Sequence, residues 1–503
     1  MDLCNFANMS NPGIIIIVIA LYFGALVLIS HYSSRNSDNS TFFIGARKMA
    51  WPAVALAMIT APISGVTFIS VPGMVISKGY SYLQMCLGFI AGYLIIAKLL
   101  IPLYYKHRIY SIYSFLEERF GRNAYKTGAW FFLISKILGT AVKFLVVCFV
   151  LQTVVFSPLH IPFIVNVVIT ISLIMLYTIN GGVKSVIWAD MLKSLVLIIS
   201  VVLCIGLLMN KLNFSLPEVY DTISAHPLTR ILYLDNPAEE TFFWKQFLAG
   251  MFLVIAMTGL DQDMMQHSLS CRDAGSSRKN LYVSSIMQFI VIALFLALGS
   301  LMIVYAEKVE MTMPSKTDDL FAQVAFHSDM PIMVGILFIL GLISASYSSV
   351  GSALTSLTTS YTVDIMEANK NYAEDKLGIL RKKVHVAISI LLIALIMGFY
   401  YLNNSDAISA VFTLASYTYG PILGLFLFGI FTKKQIQSKY VVIICISAPV
   451  LSWIIQLGGN YFFNYKTGFE LLLINASLII LGLVLLPSRK EVYDGETNAT
   501  IAS

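Results

Sequence analysis

The sequence predicts an all-α polytopic membrane protein with about 13 transmembrane helices, its N-terminus outside and its C-terminus inside. Three observations predict it. The 503 residues are 58% hydrophobic and 12% charged, where a soluble globular protein carries about 25% charged residues. The apolar residues gather into runs long enough to cross a bilayer, which takes roughly 20 residues. Lysine and arginine divide unequally between the loops that join those runs.

The runs fall near 13–31, 51–75, 79–104, 125–157, 162–180, 185–210, 244–267, 281–306, 331–366, 384–402, 407–431, 438–457 and 469–487. The first, Gly13 to Ser30, is of spanning length and no basic region precedes it, so it reads as a transmembrane helix and not as a cleavable signal. The second is interrupted by Pro62 and Gly65, and the ninth is rich in serine and threonine. With the N-terminus outside, 22 of the 33 Lys and Arg lie in inside loops and 7 in outside loops; Lys98, Lys136, Lys143 and Lys193 lie within apolar runs. One missed helix would scramble that bias. A single membrane domain is expected over 1–487, with outside loops at 211–243 and 307–330 and a short inside tail at 488–503. The expected location is the inner or plasma membrane, with lipid as the surrounding solvent.

Composition also excludes function classes. The net charge of +6 is spread over short loops, which speaks against nucleic-acid binding. Cys4, Cys86, Cys148, Cys204, Cys271 and Cys445 have neither metal-ligand nor disulfide spacing and read as small apolar residues. The 7 histidines are scattered, and no membrane-depth catalytic arrangement stands out, so neither an enzyme nor a resident cofactor is expected.

Ionisable groups at membrane depth default to functional candidates. Lys136, Lys143, Asp190, Asp261 and Asp263 qualify; Lys98 and Lys193 read as snorkelling to an interface, a reading that also stands for Lys143. For Asp190 an inside salt bridge is the competing reading. In the stretch Ile59 to Thr67, Pro62 removes a backbone donor and frees carbonyls near Thr60 and Ile63. In a waterless region these need a partner, either a cation or a neighbouring helix. In the run Ser344 to Ser356, Ala345, Ser348, Ser349 and Ser352 share one helical face. Small residues permit close helix packing; equally, their hydroxyls and carbonyls are oxygen ligands suited to a weakly held monovalent cation, since divalent ions want carboxylates. A broken helix opposed to a polar helix is how secondary transporters build ion sites.

The motifs carry a resemblance. Phe42 to Arg47, Tyr113 to Gly121, Gly181-Gly182 followed by Asp190, Asp261-Gln262 with Gln266, Thr362 to Ile365, and Gly420 to Phe426 occur in the order and spacing of the sodium/solute symporter family. That family includes sugar, proline, sialic acid, iodide and monocarboxylate carriers, and the likeness covers nearly the whole chain. The resemblance implies two inverted five-helix repeats, about 51–210 and 244–431, with one helix before and two after. It implies a sodium site from the carbonyls of Thr60, Ile63 and Ala345 and the hydroxyls of Ser348 and Ser349. A second sodium site would use Asp190 with Ser348 and Ser352, although Ala189 and Gly351 depart from the pattern. Solute contacts are implied at Ser64, Thr67, Gln84 and Lys136, where sialic acid carriers have an arginine in place of Lys136. Thr413 stands where glucose carriers have a sugar-binding glutamine.

The expected function is therefore sodium-coupled import of a small organic solute by alternating access, with Na⁺ as coupling ion. Leu269 to Arg272 and Gly420 to Phe426 resemble the organic-anion branch, which points to sialic acid or a carboxylate. A neutral sugar or polyol is the alternative solute. A membrane-embedded sensor is the alternative of another class.

Overall fold

In a computed structural model the chain is described over residues 12–487, apart from 36, 108, 110, 238, 403–404 and 464–469. The expected tail at 488–503 lies outside the described residues, as does Cys4.

The chain folds into helices with no strand among the described residues. The principal ones are α1 (Pro12–Ser33), α2 (Trp51–Thr60), α3 (Gly65–Lys78), α4 (Tyr82–Lys106), α5 (Arg122–Leu159), α6 (Phe163–Thr178), α7 (Gly182–Leu212), α8 (Phe243–Gly259), α9 (Gln262–Leu269), α10 (Ala274–Lys308), α11 (Ile332–Ile365), α12 (Glu374–Leu402), α13 (Ser405–Phe431), α14 (Ser438–Phe463) and α15 (Glu470–Leu485). Eight are long and apolar enough to cross a membrane by themselves, and the bent pairs α2/α3 and α8/α9 bring the number to ten. Three shorter apolar helices, Phe163–Thr178, Ser416–Phe431 and Glu470–Leu485, complete the apolar set.

The α2/α3 bend is 62° and falls at Pro62. Its far side restarts as a helix because Ser64 and Thr67 form a reciprocal cap: Ser64 Oγ accepts from the Thr67 N–H, and Thr67 Oγ1 from the Ser64 N–H, both at 3.3 Å. The α8/α9 bend is 69°. The sequence had suggested one continuous run over 244–267. The chain breaks there without a proline, because Asp261 leaves helical geometry (φ −105°, ψ 123°) and caps α9 with its carboxylate. The expected span at 281–306 begins earlier, at Ala274, since Asp273 caps the helix. Hydrogen bonds from the Ser276 N–H and hydroxyl hold that aspartate's carboxyl below its usual range. The span expected at 384–402 begins at Glu374, through a polar turn that hydropathy does not register.

α11 and α10 are the most enclosed of the long helices, and α14 and α1 the most exposed. Large apolar side chains are exposed on the periphery, among them Ile443, Ile446, Leu481 and Leu485, as lipid contact allows. α11 packs along α7 and α5, and α7 along α2. The break between α2 and α3 therefore lies against the serine-rich stretch of α11.

Candidate functional site

At that seam five residues singled out in the sequence meet. The Thr60 hydroxyl lies 2.8 Å from Ser194 Oγ of α7 and donates to Ser348 Oγ at 3.2 Å. The Ser349 hydroxyl donates to the Ala345 carbonyl at 3.3 Å and reaches the Ile63 carbonyl at 3.5 Å. The approach is possible because Gly65 has no side chain: a Cβ there would stand 2.1 Å from Ser346 Oγ. All five candidate ligand oxygens are neutral, and among the described residues no carboxylate is hydrogen-bonded to them. This donor set fits a weakly held monovalent cation and not Ca²⁺ or Mg²⁺. Among the described residues no cluster of three or more His, Cys, Asp or Glu could hold another metal.

Beside the seam lies a cavity of about 460 Å³, lined by Ile63, Ser64, Thr67 and Ser349 and walled by aromatic rings including Tyr82, Phe89, Tyr93, Phe144, Phe289 and Tyr419. That is the size and character of a site for one small organic molecule. α5 contributes one continuous face: Lys136, Gly139, Thr140, Lys143, Phe144 and Val147 all line it, at the three- and four-residue spacing of one helix side.

The charges are unevenly shared. Lys136 Nζ is 2.6 Å from Asp263 Oδ2 and 3.3 Å from Asp261 Oδ2. Asp261 also accepts from the N–H groups of Asp263 (2.8 Å) and Met264 (3.3 Å) and from the Tyr419 hydroxyl (2.5 Å). Asp263 Oδ2 takes the Ser352 hydroxyl at 3.3 Å, while its Oδ1 is buried without a hydrogen-bond partner. Lys136 is thus already compensated by two carboxylates. Lys143 has no salt-bridge or hydrogen-bond partner among the described residues.

One expected solute residue stands elsewhere. Gln84 is fully buried and does not line the cavity. Its Nε2 donates to the Thr241 carbonyl at 2.8 Å and its Oε1 accepts from the Tyr233 N–H at 3.0 Å, tying α4 to the segment before α8. On α4 the lining residues are Tyr82, Cys86, Phe89 and Tyr93, and position 84 is out of phase with them. Gln84→Ala is therefore expected to lower stability by about 1–3 kcal/mol, the cost of unsatisfied buried partners. It should leave the solute KM within about twofold of wild type; melting curves and uptake kinetics check the two halves. The side chain of Thr413 lies outside the described residues.

Asp190 and Ser352 are not drawn to a common point. Ser352 turns to Asp263, whereas Asp190 Oδ1 binds Lys193 Nζ at 3.0 Å. That ammonium also meets the Tyr177 hydroxyl at 2.8 Å and the Tyr347 carbonyl at 3.3 Å, and both Lys193 and Asp190 are wholly buried. Lys193 therefore does not snorkel: its pairing with Asp190 keeps it inside. His267 Nε2 lies 3.5 Å from Asp190 Oδ2.

The other motif residues are structural ties. Asp364 accepts from the hydroxyls of Ser111 (2.8 Å), Ser360 (2.6 Å) and Tyr125 (2.8 Å), and Gln262 Oε1 accepts from the Ile112 N–H at 2.9 Å. Gln266 Nε2 donates to Thr359 Oγ1 at 2.8 Å and to the Phe43 carbonyl. None of these side chains lines the cavity.

The family model for the sodium:solute symporter family matches residues 42–438, more than half of the sequence. The chain belongs to that family. Among curated relatives, the sodium/sialic acid symporter NanT of Aliivibrio fischeri is 26% identical over 472 residues, 89% of each chain. The sodium-dependent multivitamin transporter of Oryctolagus cuniculus is 25% identical over 76% of this chain, which spans 60% of that protein's length. The solved structure of a substrate-bound, outward-open Na⁺-coupled sialic acid symporter superposes with a TM-score of 0.81 at 20% identity, covering 95% of this chain and 99% of that one. At that identity the likeness is one of fold. The symporter is thus a multi-pass membrane transporter whose coupling ion is Na⁺.

Sequence reasoning missed Tyr419 and the α4 aromatic face of this symporter. The helical phase of Tyr82, Cys86, Phe89 and Tyr93 was the available signal. Tyr419 had none beyond its place before Gly420.

Proposed function

We propose that this symporter imports a small organic anion, sialic acid or a carboxylate, together with one Na⁺. The observation that carries this reading is the cavity itself, which shares Ile63 and Ser349 with the neutral-oxygen seam and presents Lys143 with no salt-bridge or hydrogen-bond partner among the described residues. In this reading the carbonyls of Thr60, Ile63 and Ala345 and the hydroxyls of Ser348 and Ser349 hold Na⁺. Ser64 and Thr67 contact the solute, and Na⁺ completes the cavity by holding the α2/α3 break against α11. The sialic acid relative adds support for an acidic solute.

The three short apolar helices cross the membrane as well, giving thirteen spans, with the N-terminus outside and the cell membrane as location. The repeats run over about 51–210 and 244–431; in support, each opens on a broken helix. Such a pair is suited to alternating access, one repeat rocking against the other.

Lys193 supports a single sodium. Its tethered ammonium holds Asp190 Oδ1, an oxygen that a second cation at Asp190 would need. One Na⁺ with one monoanion moves no net charge. The membrane potential then does no work on the cycle, and the sodium gradient supplies the drive. A neutral sugar is the second reading, favoured by the full compensation of Lys136. One charge crossing 100 mV is worth about 2.3 kcal/mol, so sugar accumulation would rise more than tenfold with potential. Proteoliposomes loaded under an inward Na⁺ gradient, with and without a potassium diffusion potential, separate the two. Accumulation of N-acetylneuraminate or a monocarboxylate, unchanged by potential, is expected. Accumulation of sugars alone, rising with potential, would overturn the anionic reading.

A further inference from the structure

We propose that Lys143, and not Lys136, receives the anionic group of the solute, with Lys136 as a positioning residue that fixes the floor of the cavity. The proposal rests on the anionic reading above and names the contact that reading requires.

Three observations carry it. Lys136 and Lys143 are two turns apart on one face of α5 and line the same cavity, so their backbones differ in depth by about 10 Å. At the Lys136 level the charge is already overcommitted, with two carboxylates at 2.6 and 3.3 Å. A third carboxylate bound there would face both at short range, where like charges repel strongly in a low-dielectric setting. At the Lys143 level no acid makes direct contact: the half-buried side chain has no salt-bridge or hydrogen-bond partner among the described residues, and Asp261, Asp263 and Lys136 act on it only through space. Between the two levels lies Gly139, where a Cβ would meet nothing within 4 Å. The face between the ammonium groups is open, and a solute can lie along it.

Neutral hydrogen-bonding groups flank this stretch, with Thr140, Thr258, Ser285 and Gln288 all lining the cavity. They suit the uncharged polar body of a solute whose acid end sits at Lys143. A lysine with four rotatable bonds is a point charge that accommodates differently shaped acids. The site is therefore selective for a carboxylate as a class, with the body of the solute read by its neighbours.

The test compares N-acetylneuraminate with its methyl ester, which keeps the shape and loses the charge. Binding to the purified full chain is measured by calorimetry in NaCl, for wild type, Lys143→Gln and Lys143→Arg. Wild type is expected to prefer the acid by about tenfold or more, as a charge-assisted contact requires. In Lys143→Gln the preference should fall to within about twofold through loss of affinity for the acid, and Lys143→Arg should retain it. Sodium-induced thermal stabilisation of Lys143→Gln shows that the variant is folded. An unchanged preference in Lys143→Gln would overturn the proposal while leaving the anionic reading intact. Wild type that binds both equally would overturn the anionic reading and the proposal together.

Discussion

Lys136→Met is expected to abolish sodium-driven uptake, by about a hundredfold or more, and to lower stability by about 3–5 kcal/mol, the cost of stripping one partner from a buried ion group. The lysine is the shared counter-ion of Asp261 and Asp263, which are 1% and 2% exposed by side chain. Without it, two carboxylates two residues apart, at the cap and in the first turn of α9, are left without their counter-ion. The break of α8/α9 is itself set by the Asp261 cap, so the damage reaches the cavity wall. Adding Asp263→Asn should restore most of the stability, because Asp263 has an oxygen with no partner to lose. Adding Asp261→Asn should restore less, because that carboxylate also holds two backbone N–H groups and Tyr419. Melting temperatures of the three variants check this order. A Lys136→Met protein with wild-type stability and uptake would remove the ion group from the account.

Ser349→Ala is the second large effect. The Na⁺ affinity should fall by about tenfold or more, as expected for removing one ligand oxygen in a desolvated site. Folding should be little affected, since the two hydrogen bonds lost are long, 3.3 and 3.5 Å. At saturating Na⁺ the solute KM should stay within about twofold of wild type, because the neighbouring wall is intact. An unaltered Na⁺ dependence would move the ion site away from α11.

What was legible in the sequence depended on whether a residue's role is local. Pro62 breaks its helix through its own ring, so the α2/α3 bend could be read from one residue. The α8/α9 bend could not, because an aspartate at membrane depth reads as an intramembrane charge before it reads as a helix cap. The serine pair Ser348-Ser349 was legible as a face, and the break supplied its partner. Lys136 was legible as a buried cation, but its partners lie 125 and 127 positions away, and no periodicity carries that distance. Asp190 and Lys193 were three apart and in plain view. Their pairing was obscured because lysines near the end of an apolar run so often snorkel. Gln84 was assigned by likeness to relatives, where helical phase would have turned it away from the cavity.

The central claim is that Na⁺ at the seam between the α2/α3 break and α11 drives solute entry. The most direct measurement is the initial rate of N-acetylneuraminate uptake into proteoliposomes as external Na⁺ is varied, in wild type and Ser349→Ala. The account predicts hyperbolic Na⁺ dependence in wild type, with a Hill coefficient near one, and a half-saturating Na⁺ raised about tenfold or more in the variant. Equal uptake in Na⁺ and in K⁺, or identical Na⁺ curves for the two proteins, would contradict it.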